Sequence, residues 1–464
     1  MAGLRGRMGM ALRTTTVKIL QICTNDRILQ SAHRLRREFA RLGHEAVMFL
    51  GERLGEGDPA ALLFRPRQDP VGRVRRYVRA RRIERGLAGY PRSQQARRSG
   101  FSDDRSPHGS DALAQLPDAD VISVDAMHRL LDFQAFFRTV PKRTPVVRVL
   151  HDMSFFTGGC HLDAGCGRFA EGCGACPQLG SADLRDISRR SWLRKSAALA
   201  EVDPGRLFIV APSRWLAEAA KRSPLLRRFS VTVIPHGVDT EIFRPLDRRL
   251  ARDVLGVDQQ ARVVLFVAEG IQRPVKRFAH LVEALEGFPG TAAPLLLTAG
   301  SGAPEAPVPV PHKHLGPIRD ERMLALVYSA ADLLVVSSQQ ESFSLVTLES
   351  LACGVPVVAA AVGGVREIVS DGTTGLLVPP NDVGALRDAI DQIVRDPERR
   401  EQMARECRRT VLETYSIRVM AERYVALYDR IRTSPRPAAA QPSPRAPREP
   451  QTANTATGSA ERPA

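Results

Sequence analysis

The chain has 464 residues, 43% of them hydrophobic and 25% charged, with a formal net charge of +16. That length suits two or three domains of ~150 residues. No stretch reaches the ~18–20 uninterrupted apolar residues of a membrane-spanning helix, which excludes a helical membrane protein and leaves a globular one. The first twenty residues scatter Arg and Lys among apolar positions and lack the apolar core of a cleaved signal peptide, so a cytoplasmic location is expected.

The first apolar run, Val17 to Cys23, predicts a strand. Gln30 to Leu42 follows at helical spacing and stops at Gly43, and Glu45 to Leu50 predicts the next strand. The loop after the first strand reads TNDRILQSA, so the Gly-rich dinucleotide fingerprint is missing; no phosphate-binding Walker sequence appears either. Between Arg65 and Arg98 stand twelve Arg and only two acids, Asp69 and Glu84. Such a stretch is either a solvated basic face or a surface for anionic lipid headgroups at the inner face of a membrane. Nucleic acid is disfavoured because only Tyr77 and Tyr90 stand among the basic residues, too few for a stacking platform. The segment Gly86 to Ser110 is expected to be a mobile loop.

Further short strands are predicted at 121–124, 146–150 and 207–210, then at 262–267, 294–298, 333–336 and 355–359. Strands alternating with helices argue for parallel sheets wound in βαβ units, and two such series argue for two α/β domains. The boundaries expected are 14–235 for the first domain, with a Cys-rich loop at 158–180, and 236–415 for the second. A helix over 416–432 is expected to pack back on the first domain, and a Pro-, Ala- and Ser-rich tail over 433–464 to be disordered. The hinge is expected near Val231 to Pro245.

His151 and Asp152 follow a predicted strand at its C-terminal end, the ligand-facing edge of an open parallel sheet. The plainer alternative is a turn His beside a helix-capping Asp. Next comes Cys160, Cys166, Cys173 and Cys176, spaced C-x₅-C-x₆-C-x₂-C. Four thiols within seventeen residues suit a closed tetrahedral zinc site, with His161 as a candidate to replace a thiol; two disulfides, disfavoured in the cytosol, and free thiols are the alternatives. Cys23, Cys353 and Cys407 read as small buried hydrophobes.

Lys276, one of only six Lys in the chain, precedes a helical pattern, where it opposes the helix dipole unless an anion binds. Arg273, three residues earlier, is placed to share that anion. Farther on, Glu349 falls four residues after Leu345 on the apolar face of a helix expected over 344–353. A carboxylate there costs several kcal/mol unless hydrogen-bond donors meet it, and paired ribose hydroxyls would serve. Glu341 sits in the loop before that helix, whose N-terminal amides suit a phosphate or a sugar oxygen. Taken alone, the two Glu would read as a cap and a salt bridge.

Taken in order, VTVIPHGVDTEIFRP, the Lys276 loop, HLGPIRDERMLALVYSAADLLVVSS and ESFSLVTLESLACGVPVVAAAVGGVREIVSDGTTGLLVPPND resemble the family 4 retaining glycosyltransferases of the GT-B fold, two Rossmann-like parallel-sheet domains facing a cleft. HDMSFFTGGCH and GCGACPQLGS look like a cysteine-containing subgroup of bacterial surface-polysaccharide enzymes of the colanic-acid type. The resemblance implies transfer of a hexosyl group from a UDP- or GDP-sugar to a glycan or lipid-linked glycan. It gives Glu349 the ribose, Glu341 the donor sugar, and Lys276 with Arg273 the diphosphate. Backbone at Phe343, Ser344 and Leu345 adds N–H contacts, His151 lies over the sugar, and backbone at Gly316 to Ile318 reads the base. No catalytic cofactor is expected.

The chain departs from the family at its first loop (Asn25 to Gln30), at Ser344 and Arg277 where Gly is common, at His236 in place of Asn, and at Asp125 in place of His. Two other readings stay open: a nucleotide-sugar epimerase of the same fold, and an inactive membrane- or polyanion-binding scaffold.

Overall fold

The structure, a computed structural model, describes residues 16–25, 30–53, 60–98, 100–288, 293–304 and 307–433. Among these residues thirteen strands form two parallel sheets. The first holds β1 (Lys18–Asn25), β2 (Glu45–Glu52), β3 (Leu62–Leu63), β4 (Val121–Val124), β5 (Val146–Val149), β6 (Leu207–Ala211) and β7 (Ser230–Val233). The second holds β8 (Val263–Gly270), β9 (Leu295–Ser301), β10 (His312–His314), β11 (Leu333–Val336), β12 (Val357–Ala360) and β13 (Gly375–Val378). Their orders are β3-β2-β1-β4-β5-β6-β7 and β10-β9-β8-β11-β12-β13. Both orders reverse direction once, beside β1 and beside β8. In open α/β sheets, ligands bind outside the carboxyl ends of the strands at such a switch point.

Sequence alternation puts apolar residues on both faces of each sheet. Leu20 and Ile22 of β1 enter one core with Phe49 and Val124, while Ile19 and the preceding Val17 enter another with Val147 and Val149. That second core is closed by the helix Ile417–Thr433, whose Met420, Tyr424, Leu427, Tyr428 and Ile431 are buried against the first sheet. The chain therefore passes between the sheets twice. The two passes are joined: Val238 N–H donates to Tyr415 O and Ile417 N–H to Val238 O, both at 2.9 Å.

Several expectations are corrected. The stretch expected as a loop over 86–110 carries the end of the helix Pro70–Ala88 and the short helix Ser93–Arg98, so most of the basic stretch is helical. Asp69 caps that first helix by accepting from Gly72 N at 2.9 Å. The region expected as a hinge begins as β7. The helix of Glu349 starts one residue later than expected, at Leu345. Residues 26–29 of the first loop, and the tail beyond Thr433, lie outside the described residues.

Candidate active site

The loop after β11 and the loop after β8 are sewn together by backbone contacts. Ser337 Oγ donates to the carbonyls of Lys276 and Arg277, each at 3.0 Å, and Gln339 N–H donates to Val275 O at 2.8 Å. This brings Lys276 Nζ to 2.6 Å from Glu341 Oε1, an oxygen that also accepts from Ser338 Oγ at 2.8 Å. Gly364 N–H donates to the carbonyl of Glu341 at 3.0 Å. The neighbouring Gly363 has φ +48, and a Cβ there would lie 1.8 Å from that carbonyl, so only glycine lets the loop after β12 support Glu341. Both side chains are partly accessible, at 21% for Lys276 and 12% for Glu341.

Behind this pair, the helix Leu345–Ala352 buries Glu349 on its core face. Tyr328 Oη donates to Glu349 Oε2 at 3.0 Å. Burial pushes the Glu349 carboxyl up to about 7, against the opposing pull of the Arg34 guanidinium and the Tyr328 hydroxyl. Arg34 comes from the other sheet's helix Gln30–Arg41; it ion-pairs with Glu321 and lies over the Phe243 ring.

The facing wall comes from the first sheet. Buried Arg148, on β5, donates to the carbonyls of Val124 at 2.7 Å and Asp125 at 2.6 Å, fixing the end of β4. Asp125 Oδ1 then stands 3.3 Å from His151 Nε2. The His151 ring stacks on His236, with centroids 4.9 Å apart, and His236 meets Phe343 edge-on at 5.2 Å. Burial, reinforced by His151, holds His236 well below the usual imidazole range. The His151 carbonyl accepts from Ser342 Oγ at 2.6 Å, and the Ser342 carbonyl accepts from Ser213 Oγ at 2.7 Å. The segment 341–345 is thus gripped from both sheets.

Of the residues singled out in the sequence, Lys276, Glu341, Phe343, Ser344, Leu345, Glu349 and His151 gather around this segment. Arg273 instead pairs with Glu269 at 2.9 Å. Gly316 accepts from Gly300 N–H at 2.9 Å in the loop after β10, where Ile318 packs partly buried against the core. The two departures from glycine, Arg277 and Ser344, both adopt positive φ, +52 and +113. Four thiols, Cys160, Cys166, Cys173 and Cys176, line a single cavity, and none is in a disulfide. His161 is turned elsewhere: its Nδ1 lies 2.9 Å from Asp152 Oδ2 and its Nε2 2.7 Å from Ser102 Oγ.

Sequence reasoning did not find Arg34, Tyr328, Ser342 or Arg148. Arg148 alone left a signal, a charge inside an apolar strand, since a buried cation must be paired with acceptors.

The chain is similar to known proteins in two ways. Residues 247–410 match the family described as "Glycosyl transferases group 1". Over 179 residues the chain is 42% identical to D-inositol 3-phosphate glycosyltransferase of Mycobacterium tuberculosis and of Mycobacterium bovis; the match spans 36% of this chain and 36% of each relative's length. Among solved structures, a sucrose-phosphate synthase from Thermosynechococcus elongatus aligns with a TM-score of 0.62 at 22% identity, covering 89% of this chain and 98% of that one. Anabaena HepE in complex with UDP and glucose aligns at 0.57 and 16%, covering 89% and 99%. WaaG, a glycosyltransferase involved in lipopolysaccharide biosynthesis, aligns at 0.58 and 16%, covering 88% and 99%. These likenesses assign the fold, GT-B.

Proposed function

We propose that this GT-B chain, a group 1 glycosyltransferase over residues 247–410, is a retaining enzyme that moves a hexosyl group from a nucleotide-sugar to a glycan or lipid-linked glycan in polysaccharide biosynthesis. In this reading residues 236–415 bind the donor and 14–235 the acceptor. The observation that carries it is the Lys276–Glu341 pair at 2.6 Å on the ligand edge of the second sheet, with buried Glu349 behind it and His151 opposite. The crystallised complex of HepE with UDP and glucose favours UDP among the candidate nucleotides.

As the glycosidic bond to diphosphate breaks, charge grows on the leaving oxygen. Lys276, poised in its hydrogen bond to Glu341, supplies a cation there, and the amides at Phe343 to Leu345 supply oriented dipoles. Glu341 orients the ammonium and takes the sugar hydroxyls. Glu349, once ionised, accepts the ribose hydroxyls. The acceptor hydroxyl attacks from the leaving-group face, with a phosphate oxygen receiving its proton, and closing of the cleft excludes water. No catalytic divalent ion has a role in this scheme.

The acceptor half carries a further clue. On the helix Pro70–Ala88, Val71, Val74 and Val78 form an i, i+3, i+7 stripe, 57%, 61% and 39% exposed, flanked by Arg side chains. Exposed apolar residues beside cations suit the surface of an anionic membrane, where a lipid-linked acceptor resides. No helix among the described residues is long and apolar enough to cross a membrane.

The test is calorimetric titration with UDP, GDP and ADP, alongside a Glu349→Ala variant. Binding of UDP that is lost in the variant supports the reading. Failure of every nucleotide to bind folded protein would sink it. Product analysis with and without acceptor then separates transfer from epimerisation, which needs no acceptor.

A further inference from the structure

The loop 158–180 has almost no regular structure: two single 3₁₀ turns, Arg168–Ala170 and Pro177–Leu179. Three of its non-glycine residues, Ala164, Cys173 and Ala175, hold positive φ, at about 1 kcal/mol or more each. A long strained loop without its own core needs something to hold it. Its four cysteines all face one cavity. The turn Cys173-Gly174-Ala175-Cys176 runs through three consecutive positive φ values, 59, 105 and 43, which brings the last two thiols to the same cavity. Gly158 N–H already donates to Cys173 Sγ at 3.1 Å. Buried Lys195, which lines the neighbouring cavity, donates to the carbonyls of Ser154 at 2.7 Å and Thr157 at 3.0 Å, and its charge acts on Cys160 and Cys173.

A second cluster competes. The ligand atoms of His128, Asp152 and His161 lie within 4.8 Å of one another, the one such group among the described residues, so the four sulfurs ring their cavity more widely. That trio is already spent, however. His161 uses both ring nitrogens, on Asp152 and Ser102, and Asp152 also accepts from Ser154. Arg148 and Lys195 add cationic charge near His128, which opposes a metal ion. Lys195 stands near the cysteines as well, but four thiols can supply four anionic ligands against it where the trio supplies one carboxylate, and a loop made of turns can contract around an ion.

We propose that Cys160, Cys166, Cys173 and Cys176 bind one thiophilic tetrahedral divalent cation, zinc, releasing their thiol protons to solvent, and that this knot props the cleft. The second half follows from what lies between the first two ligands. Asp163 Oδ1 accepts from Gln340 Nε2 at 2.8 Å, and Ala164 N–H donates to Gln340 Oε1 at 3.0 Å. Gln340 immediately precedes Glu341, so the knot holds a two-bond clasp across to the donor loop. The metal half stands apart from the proposed transfer reaction; the clasp half rests on it.

The experiment is elemental analysis of full-length protein purified without a metal-affinity tag, with cobalt substitution and thiol mass spectrometry on the same sample. We expect about one zinc per chain, tetrahedral thiolate-to-cobalt absorption bands, and loss of both in a Cys173→Ser/Cys176→Ser variant. Native protein free of metal whose apo form takes up no added zinc, protein loaded with iron instead, or two disulfides in the native chain would each overturn the site, whether or not the serine variant folds. For the clasp, Gln340→Ala should bind UDP like the wild type while sugar transfer falls about tenfold, as two lost hydrogen bonds imply. Unchanged transfer in Gln340→Ala would overturn the clasp and leave the metal result standing.

Discussion

Glu349 shows how one buried side chain sets a pH dependence. Its folded value of about 7 lies above the ordinary 4.5, so the folded protein holds a proton that the unfolded chain releases. Stability of the nucleotide-free protein should therefore fall as pH rises from about 4.5 to 7 and level off above it. Ligand binding should run the other way: ribose hydroxyls need the carboxylate, so UDP affinity should weaken by up to ~tenfold per unit as pH drops below about 7. Melting and titration series against Glu349→Gln check both slopes; identical slopes in the variant would remove Glu349 as their source. For Lys276, we expect Lys276→Ala to lower kcat by ~10²-fold or more with UDP still bound, since its charge matters most as the leaving group departs. Glu341 and Glu349 could be picked out in sequence because they fall in one segment with readable periodicity, and Lys276 because it precedes a helical pattern; that Lys276 meets Glu341 across 65 residues is given only by the fold. Arg34 was not, because its partner Glu321 is 287 residues away and only the fold joins them.

At the level of elements, the N-terminal end of the second sheet hangs on a buried ion cluster. Asp332, just before β11, accepts from Val263 N–H at 2.7 Å and pairs with Arg252 at 3.1 Å, Arg400 at 3.2 Å and Arg248. Three guanidinium groups from two helices, Arg248–Leu255 and Pro397–Thr410, are tied to one carboxylate, so Asp332→Ala leaves buried guanidinium groups uncompensated. It should cost about 3–5 kcal/mol, read by denaturant unfolding. On the helix Pro70–Ala88, replacing Arg73, Arg75, Arg76 and Arg79 by Gln should abolish sedimentation with anionic vesicles and spare UDP affinity; sedimentation that persists would deny the helix this role. The long apolar strands and the helix Ile417–Thr433 were readable in sequence. Leu62–Leu63 and His312–His314 were not, being too short and too polar in context to carry a period. The helical basic stretch was missed because its charge masks a weak apolar stripe.

Across the whole molecule, the two halves touch at several separated points. Glu367, beyond β12, accepts from the amides of Arg214 at 2.9 Å and Trp215 at 2.9 Å, capping a helix of the other half. Ser213 and His151 hold Ser342, Asp163 and Ala164 hold Gln340, and Arg34 holds Glu321. Removing the Glu367 carboxylate should let the nucleotide-free protein relax. We expect a larger radius of gyration for Glu367→Ala by small-angle scattering, restored by UDP; an unchanged radius would make this contact incidental. Chain order foretold two α/β halves, but none of these contacts, which join segments distant in sequence.

The stitch between the two passes of the chain has a mechanical consequence. Val238 and the Tyr415–Ile417 segment exchange two backbone bonds side by side, and Gly237 lies so close that a Cβ would sit 2.7 Å from Ile417 Cα. Two covalent tethers pinned at one place behave as a door hung on a single pin line. The leaves swing about that line but resist sliding and twisting past each other. Whatever opens the molecule therefore returns His151 and the 341–345 segment to the same register.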